Sequence, residues 1–184
     1  MQHSTYFNID NYTFKRTIGY NAISNRILEI ASQLNTTYKD SHSEPVFLIT
    51  LKGAIFFAAE LLKHINFHHV IDTATARSYG NSMTSNDNVE ILLHSNSFND
   101  KDIIIIEDII DTGKTILALT NLLTKLHPKS ITIATLISKP QCHNNILKID
   151  YAAFEIDSDA FIIGFGLDYK ELGRNLNGLY FLEN

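Results

Sequence analysis

The stretch Ile103-Ile-Ile-Ile-Glu-Asp-Ile-Ile-Asp-Thr-Gly-Lys-Thr115 runs four isoleucines into Glu107 and Asp108, then reaches Asp111 and the turn Thr112-Gly113-Lys114-Thr115. A continuous apolar run of this length reads as a buried strand, and ionised side chains at its end cost stability unless cationic or polar groups answer them. The turn opens a helix, whose N-terminus offers free backbone N–H groups and the positive end of the dipole, both suited to a phosphate. Gly113 lets the chain approach such a group closely, and Thr112 and Thr115 add hydroxyl donors. Taken alone, Asp111 or Thr112 is an ordinary helix N-cap. Three acids within five positions after a buried strand favour chemistry instead. Gly113-Lys114-Thr115 also invites comparison with the P-loop of nucleoside triphosphatases. That loop needs a glycine five positions before its Gly-Lys pair, and Asp108 stands there, an anion where amides should cradle anions.

The elements that must position this segment follow from periodicity. Ile23, Ile27, Leu28, Ile30, Ala31 and Leu34 recur at helical spacing, which predicts a helix from Tyr20 to about Tyr38. Strands are expected over Val46–Leu51, Val70–Ala76, Val89–Leu93, Ile103–Ile106, Ile131–Ile137, Tyr151–Phe154 and Phe161–Phe165, and further helices over Ala54–Ile65 and Thr115–Leu126. Tyr79–Asn88 is polar and unpatterned, and reads as a long loop of the kind that often carries function. Continuous apolar strands alternating with helices imply an α/β fold, an open and mostly parallel sheet with helices on both faces. In such sheets a ligand sits beyond the carboxyl ends of the strands, at a switch in strand order.

The 184 residues are expected to form one domain, residues 1–184, long enough to bury about two-thirds of the surface of the unfolded chain. Fifteen Lys and Arg against 20 Asp and Glu leave a net charge of −5, with no basic run, so a nucleic-acid partner is not expected. The most apolar stretch, Val46 to Leu62, is broken by Lys52, Gly53 and Glu60 and is too short to span a bilayer, so no membrane partner is expected. The lone Cys142 fits a reducing compartment, and with no basic and apolar leader at the N-terminus the expected location is cytoplasmic. Cys142 has no evident activating partner. His64 and His68 stand four apart, but no third ligand accompanies them, and a solvated helix end is the better account.

Glu107 to Thr115 resembles the phosphoribosyl-pyrophosphate motif of the type I phosphoribosyltransferases, and the chain from about Val46 to Asn177 resembles the hypoxanthine-guanine phosphoribosyltransferases among them. Leu51-Lys52-Gly53 resembles the pyrophosphate loop, where the resemblance implies a cis peptide between the Lys and Gly positions. Ser78-Tyr79-Gly80 resembles the start of the catalytic lid. Lys139 matches the lysine that contacts the purine 6-oxo group, and Phe161-Ile162 the pair that stacks on the base and reads its edge through main-chain groups. Gly166-Leu-Asp-Tyr169 and Arg174-Asn-Leu176 match the segment that supports a second metal ion and pyrophosphate. The chain departs from the pattern at Ala54, where some relatives carry a second glycine, and at Ala160, where many carry a charge. Neither change removes a catalytic group.

The resemblance implies the type I phosphoribosyltransferase fold, with a small hood built from the terminal segments. It also implies purine salvage, in which a 5-phosphoribosyl group passes from phosphoribosyl pyrophosphate to N9 of hypoxanthine or guanine. Asp111 would be the general base, and Asp111 to Thr115, Lys114 included, would cradle the 5-phosphate. Glu107 and Asp108 would hold the ribose hydroxyls, Lys52, Gly53 and Arg174 the pyrophosphate, and Lys139, Phe161, Ile162 and Asp168 the purine. Mg2+ is the implied cofactor, with Asp168 as its protein ligand and Glu107 and Asp108 close by. The implied partners are the purine base, phosphoribosyl pyrophosphate and copies of the same chain in a homodimer or homotetramer. A regulatory protein that keeps this fold but binds RNA or DNA is the alternative from another class, opposed by the net charge of −5 and by the presence of Asp111 and Lys139. An enzyme of the same fold acting on another base is the second alternative.

Overall fold

The computed structural model describes residues 4–41, 44–78, 89–95, 97–143, 147–157 and 159–183. The chain runs β1 (Tyr6–Ile9), β2 (Tyr12–Gly19), α1 (Tyr20–Tyr38), β3 (Val46–Leu51), α2 (Ile55–Leu62), β4 (Val70–Ser78) and β5 (Val89–Leu93). It continues with β6 (Asp102–Ile110), α3 (Lys114–Thr124), β7 (Ser130–Ser138), α4 (Pro140–His143), β8 (Tyr151–Glu155), β9 (Ile162–Ile163) and β10 (Gly178–Leu182). The main sheet has the order β5-β4-β3-β6-β7-β8. Its strands are parallel except the edge strand β5, which pairs antiparallel with β4.

The unbroken apolar strands are explained by burial on both faces. Phe47, Ile49, Ile104, Ile106, Ala134 and Leu136 pack with α1 and α2 on one side. Their alternates Val46, Leu48, Ile103, Ile105 and Ile133 pack with Ile116, Leu119 and Leu123 of α3 on the other. Successive side chains of a strand point to opposite faces, so a strand covered twice must be apolar throughout. Helix α1 buries Ile23, Ile27, Ile30, Ala31, Leu34 and Tyr38, a stripe at helical spacing, and matches the expected bounds.

A second, antiparallel sheet of order β1-β2-β10-β9 joins the first strands of the chain to its last ones, the hood implied by the resemblance. Its core is Ile9, Phe14, Ile163, Leu176 and Tyr180. Three of its strands, β1, β2 and β10, are absent from the elements expected from periodicity. Other bounds shift for local reasons. Strand β6 continues to Ile110 because β7 keeps pairing with it, Glu107 opposite Thr135 and Ile109 opposite Ile137, so Glu107 and Asp108 lie within the strand rather than after it. Helix α2 stops at Leu62, and the following chain closes in turns, His64 N–H donating to Leu61 O. The strand expected over Phe161–Phe165 shrinks to β9 because Gly164 and Phe165 take positive φ and fold the chain back onto Leu167.

Candidate active site

The chain leaves β3 toward β4 on one side of the sheet and returns to β6 on the other, so the switch in strand order falls between β3 and β6. Lys52 and Gly53 follow the first of these strands, and Glu107 to Asp111 close the second. The two loops touch. A Cβ on Gly53 would lie 1.6 Å from Asp108 Oδ2, and a Cβ on Gly166 would lie 2.1 Å from the Gly53 carbonyl oxygen. Gly53 therefore sits between a carboxylate and a second glycine, with room for neither side chain. The cis peptide in this loop joins Leu51 to Lys52, one bond earlier than the resemblance implied.

Glu107 is only 6% exposed. Its Oε1 accepts from the Asp108 N–H at 3.2 Å, while Oε2 is buried without a hydrogen-bond partner. Burial pushes the Glu107 carboxyl well above the usual range, and the neighbouring negative charge of Asp108 pushes the same way.

Lys139 follows β7 directly, and its N–H donates to Ile110 O at 2.9 Å, which ties the ends of β6 and β7 together. Its side chain is 6% exposed, with Nζ donating to the Ala160 carbonyl at 3.1 Å and lying 3.6 Å from Asp111 Oδ2. These two groups open onto a pocket of about 190 Å3 whose lining includes Asp108, Asp111, Lys139, Phe161, Ile162 and Asp168. Phe161 lies just before β9 and leaves 45% of its surface open, with Tyr169 edge-on to its ring at 5.8 Å between centroids. An exposed aromatic face beside a buried cation suits a flat ligand with an acceptor on its edge. Cys142 lies one short turn after Lys139, and hydrogen bonding to the Asp111 carboxylate pushes its thiol up, the reverse of what a nucleophilic thiolate needs.

Thr112 and Gly113 link β6 to α3. Gly113 takes φ +74 and is the N-cap of α3, a position to which it brings no side chain of its own. The ordinary account, in which Asp111 or Thr112 is the N-cap, therefore fails, and α3 opens on a glycine at the kind of helix N-terminus that suits a phosphate. A Cβ on Gly113 would meet Leu147 Cδ1 at 2.7 Å, so packing as well as φ demands glycine here.

On the opposite rim, Arg174 Nη2 lies 2.6 Å from Asp168 Oδ1 and its Nη1 donates to Gly166 O at 2.7 Å. Glu171 joins this group. Its N–H donates to Asp168 Oδ2, and its Oε2 lies 3.0 Å from Lys52 Nζ and 3.4 Å from Arg174 Nη2. Lys52 and Arg174, assigned together from the resemblance, are thus joined through a third residue.

Residues 19–170 match the family model of the phosphoribosyl transferase domain. A hypoxanthine-guanine phosphoribosyltransferase of Bacillus subtilis is 40% identical over 163 residues, which are 88% of this chain and 89% of that one. A hypoxanthine phosphoribosyltransferase of Buchnera aphidicola is 35% identical over 167 residues, covering 90% of this chain and 93% of the relative. The chain belongs to the hypoxanthine-guanine phosphoribosyltransferase family. A solved hypoxanthine phosphoribosyltransferase of Staphylococcus aureus superposes with a TM-score of 0.83 at 34% identity, covering 92% of this chain and 91% of that one.

With the family shown, the fold brings together most of the residues that the resemblance pointed to. Glu107, Asp108, Asp111, Thr112, Gly113, Lys114, Thr115, Lys52, Gly53, Lys139, Phe161, Ile162, Asp168 and Arg174 all stand at one end of the main sheet or on the hood segment facing it. Ser78 ends β4, and Tyr79, with the stretch to Asn88, lies outside the described residues. Among the described residues no group of three His, Cys, Asp or Glu side chains could hold a metal ion, and His64 and His68 do not form one. Glu171 was missed. Its signal in the sequence was the three-residue spacing of Asp168, Glu171 and Arg174, which places like and unlike charges together once the chain turns.

Proposed function

We propose that this enzyme transfers a 5-phosphoribosyl group from phosphoribosyl pyrophosphate to N9 of hypoxanthine or guanine, giving the nucleoside monophosphate and pyrophosphate. The observation that carries this is the pairing of Lys139 with Asp111 at the mouth of a pocket beside the open face of Phe161.

In this reading the base stacks on Phe161, accepts a hydrogen bond on its 6-oxo group from Lys139, and meets the main chain at Ile162. The first turn of α3 and the Thr112 and Thr115 hydroxyls hold the 5-phosphate, and the carboxylates of Glu107 and Asp108 hold the ribose hydroxyls. As the bond from C1 of the ribose to pyrophosphate breaks and the bond to N9 forms, Asp111 takes the proton of the imidazole ring of the base. Lys52 and Arg174 face the charge that gathers on the departing pyrophosphate. Mg2+ fits a donor set of this kind, one that offers single carboxylates such as Asp168 and, nearby, Asp108 rather than a closed protein cage, because the ion takes most of its oxygens from water and phosphate. When bound it neutralises pyrophosphate charge.

Transfer from phosphoribosyl pyrophosphate in the presence of Mg2+, measured against a panel of purines and pyrimidines, tests the reading. Turnover with hypoxanthine or guanine is expected, and turnover restricted to adenine or a pyrimidine overturns it. Among the described residues no helix is long and apolar enough to cross a membrane.

A further inference from the structure

Glu171 has no part in the reaction just described, yet its carboxylate stands between the two cations assigned there to pyrophosphate. Its Oε2 lies 3.0 Å from Lys52 Nζ, on the loop after β3, and 3.4 Å from Arg174 Nη2, on the hood segment. The side chain is delivered by a tight turn. Tyr169 and Leu172 exchange backbone hydrogen bonds at 3.0 Å each, and between them Lys170 and Glu171 take φ of 52° and 68°. Two successive side-chain-bearing residues in the left-handed region are unfavourable and persist only where surrounding bonds hold them. Here the Asp168 carboxylate accepts from the Glu171 N–H at 2.7 Å and fixes the turn. Lys52 and Arg174 in return hold the Glu171 carboxyl below the usual carboxylate range, Lys52 most strongly.

We infer that Glu171 is a resident anion of the pyrophosphate seat: its carboxylate pairs with Lys52 and Arg174 between turnovers, and the pyrophosphoryl group of the substrate displaces it. The inference rests on the proposed function, which gives these two cations to pyrophosphate. Its consequence is twofold. The cations are kept side by side before substrate arrives, and every pyrophosphate oxygen that pairs with them must replace a carboxylate, which weakens retention of the product.

Glu171→Gln keeps the length of the side chain and the backbone N–H to Asp168 and removes only the charge. The Lys52 and Glu171 side chains are 71% and 62% exposed, so the gain is on the scale of exposed ion pairs, about 1.5-fold to fivefold. The test is titration of the folded enzyme with magnesium pyrophosphate, together with KM and kcat for phosphoribosyl pyrophosphate. The Gln variant is expected to bind pyrophosphate about 1.5-fold to fivefold tighter and to lower KM, with an effect that shrinks as salt is raised. Glu171→Asp, which retains the charge, is expected to return toward the wild type. A residue that only braces the turn gives the opposite sign, because loosening it weakens the grip on pyrophosphate. Wild-type enzyme that binds pyrophosphate and turns over while the Gln variant binds it no tighter overturns this inference alone. Wild-type protein that neither binds pyrophosphate nor transfers phosphoribosyl overturns the proposed function and this inference with it.

Discussion

The Asp108 carboxylate occupies the space that a side chain on Gly53 would need, with Oδ2 1.6 Å from where its Cβ would stand. The loops after β3 and at the end of β6 are locked together at the switch in strand order, so the segment given to pyrophosphate cannot move without shifting a carboxylate given to ribose. Gly53→Ala is therefore expected to lower stability by about 1–3 kcal/mol, the usual cost of overpacking, and to lower kcat/KM for phosphoribosyl pyrophosphate at least tenfold. Denaturant midpoints and steady-state kinetics on the same preparation check it. Wild-type values in both would show that Asp108 swings aside freely.

Asp111→Asn is expected to leave phosphoribosyl pyrophosphate binding intact and to slow turnover by about a hundredfold or more, the scale on which a general base contributes. The motive is its position beside Lys139, 3.6 Å from Nζ, at the pocket where the base would lie. Single-turnover rates with hypoxanthine separate the chemical step from release. A variant within a few-fold of the wild type would remove Asp111 from the proton transfer.

Base choice follows from Lys139, whose ammonium has donors only and is held in place by the Ala160 carbonyl. A 6-oxo group accepts from it, whereas the amino group of adenine would set donor against donor in a mostly buried site. Lys139→Ala is expected to lower kcat/KM for hypoxanthine and guanine by tens-fold, about 2 kcal/mol, without creating adenine activity. Kinetics with the three bases decides it, and an undiminished hypoxanthine rate in the variant would end the assignment.

What could be read beforehand follows burial and local chemistry. Strands such as Ile103 to Ile106 lie under helices on both faces, so their composition alone announced a parallel sheet. The carboxylates and the Thr-Gly-Lys-Thr turn were legible because they adjoin that strand. Strands β1 and β2 were not, because a hood sheet open to solvent carries Tyr6, Tyr12, Lys15 and Arg16 where a core strand would carry isoleucine, and only Ile9 and Phe14 among them are buried. Glu171 was half legible, its three-residue spacing from Asp168 and Arg174 marking a local charge cluster but not its place in the site. Its other partner, Lys52, is 119 residues away, and that spacing does not mark a contact that only the docking of hood and sheet creates.

The last expectation concerns Glu107, whose carboxyl is raised above its ordinary value of 4.5, first by burial and then by the charge of Asp108. A folded chain that holds this proton more tightly than the unfolded chain binds the extra proton between the ordinary and the raised value. In that window stability falls as pH rises, at most by about 1.4 kcal/mol per pH unit for one proton, and levels off above the raised value. This is the reverse of the acid-side loss expected for a carboxylate held in an ion pair. Glu107→Gln cannot ionise and lacks the effect, while all other groups titrate alike in both proteins. Urea midpoints of wild type and variant, followed from pH 4.5 upward, are therefore expected to diverge, with the variant gaining steadily on the wild type until the curves run parallel. Curves that stay parallel over the whole range would show that Glu107 ionises as it does in water, and its buried Oε2 would then need a cation or water to answer it.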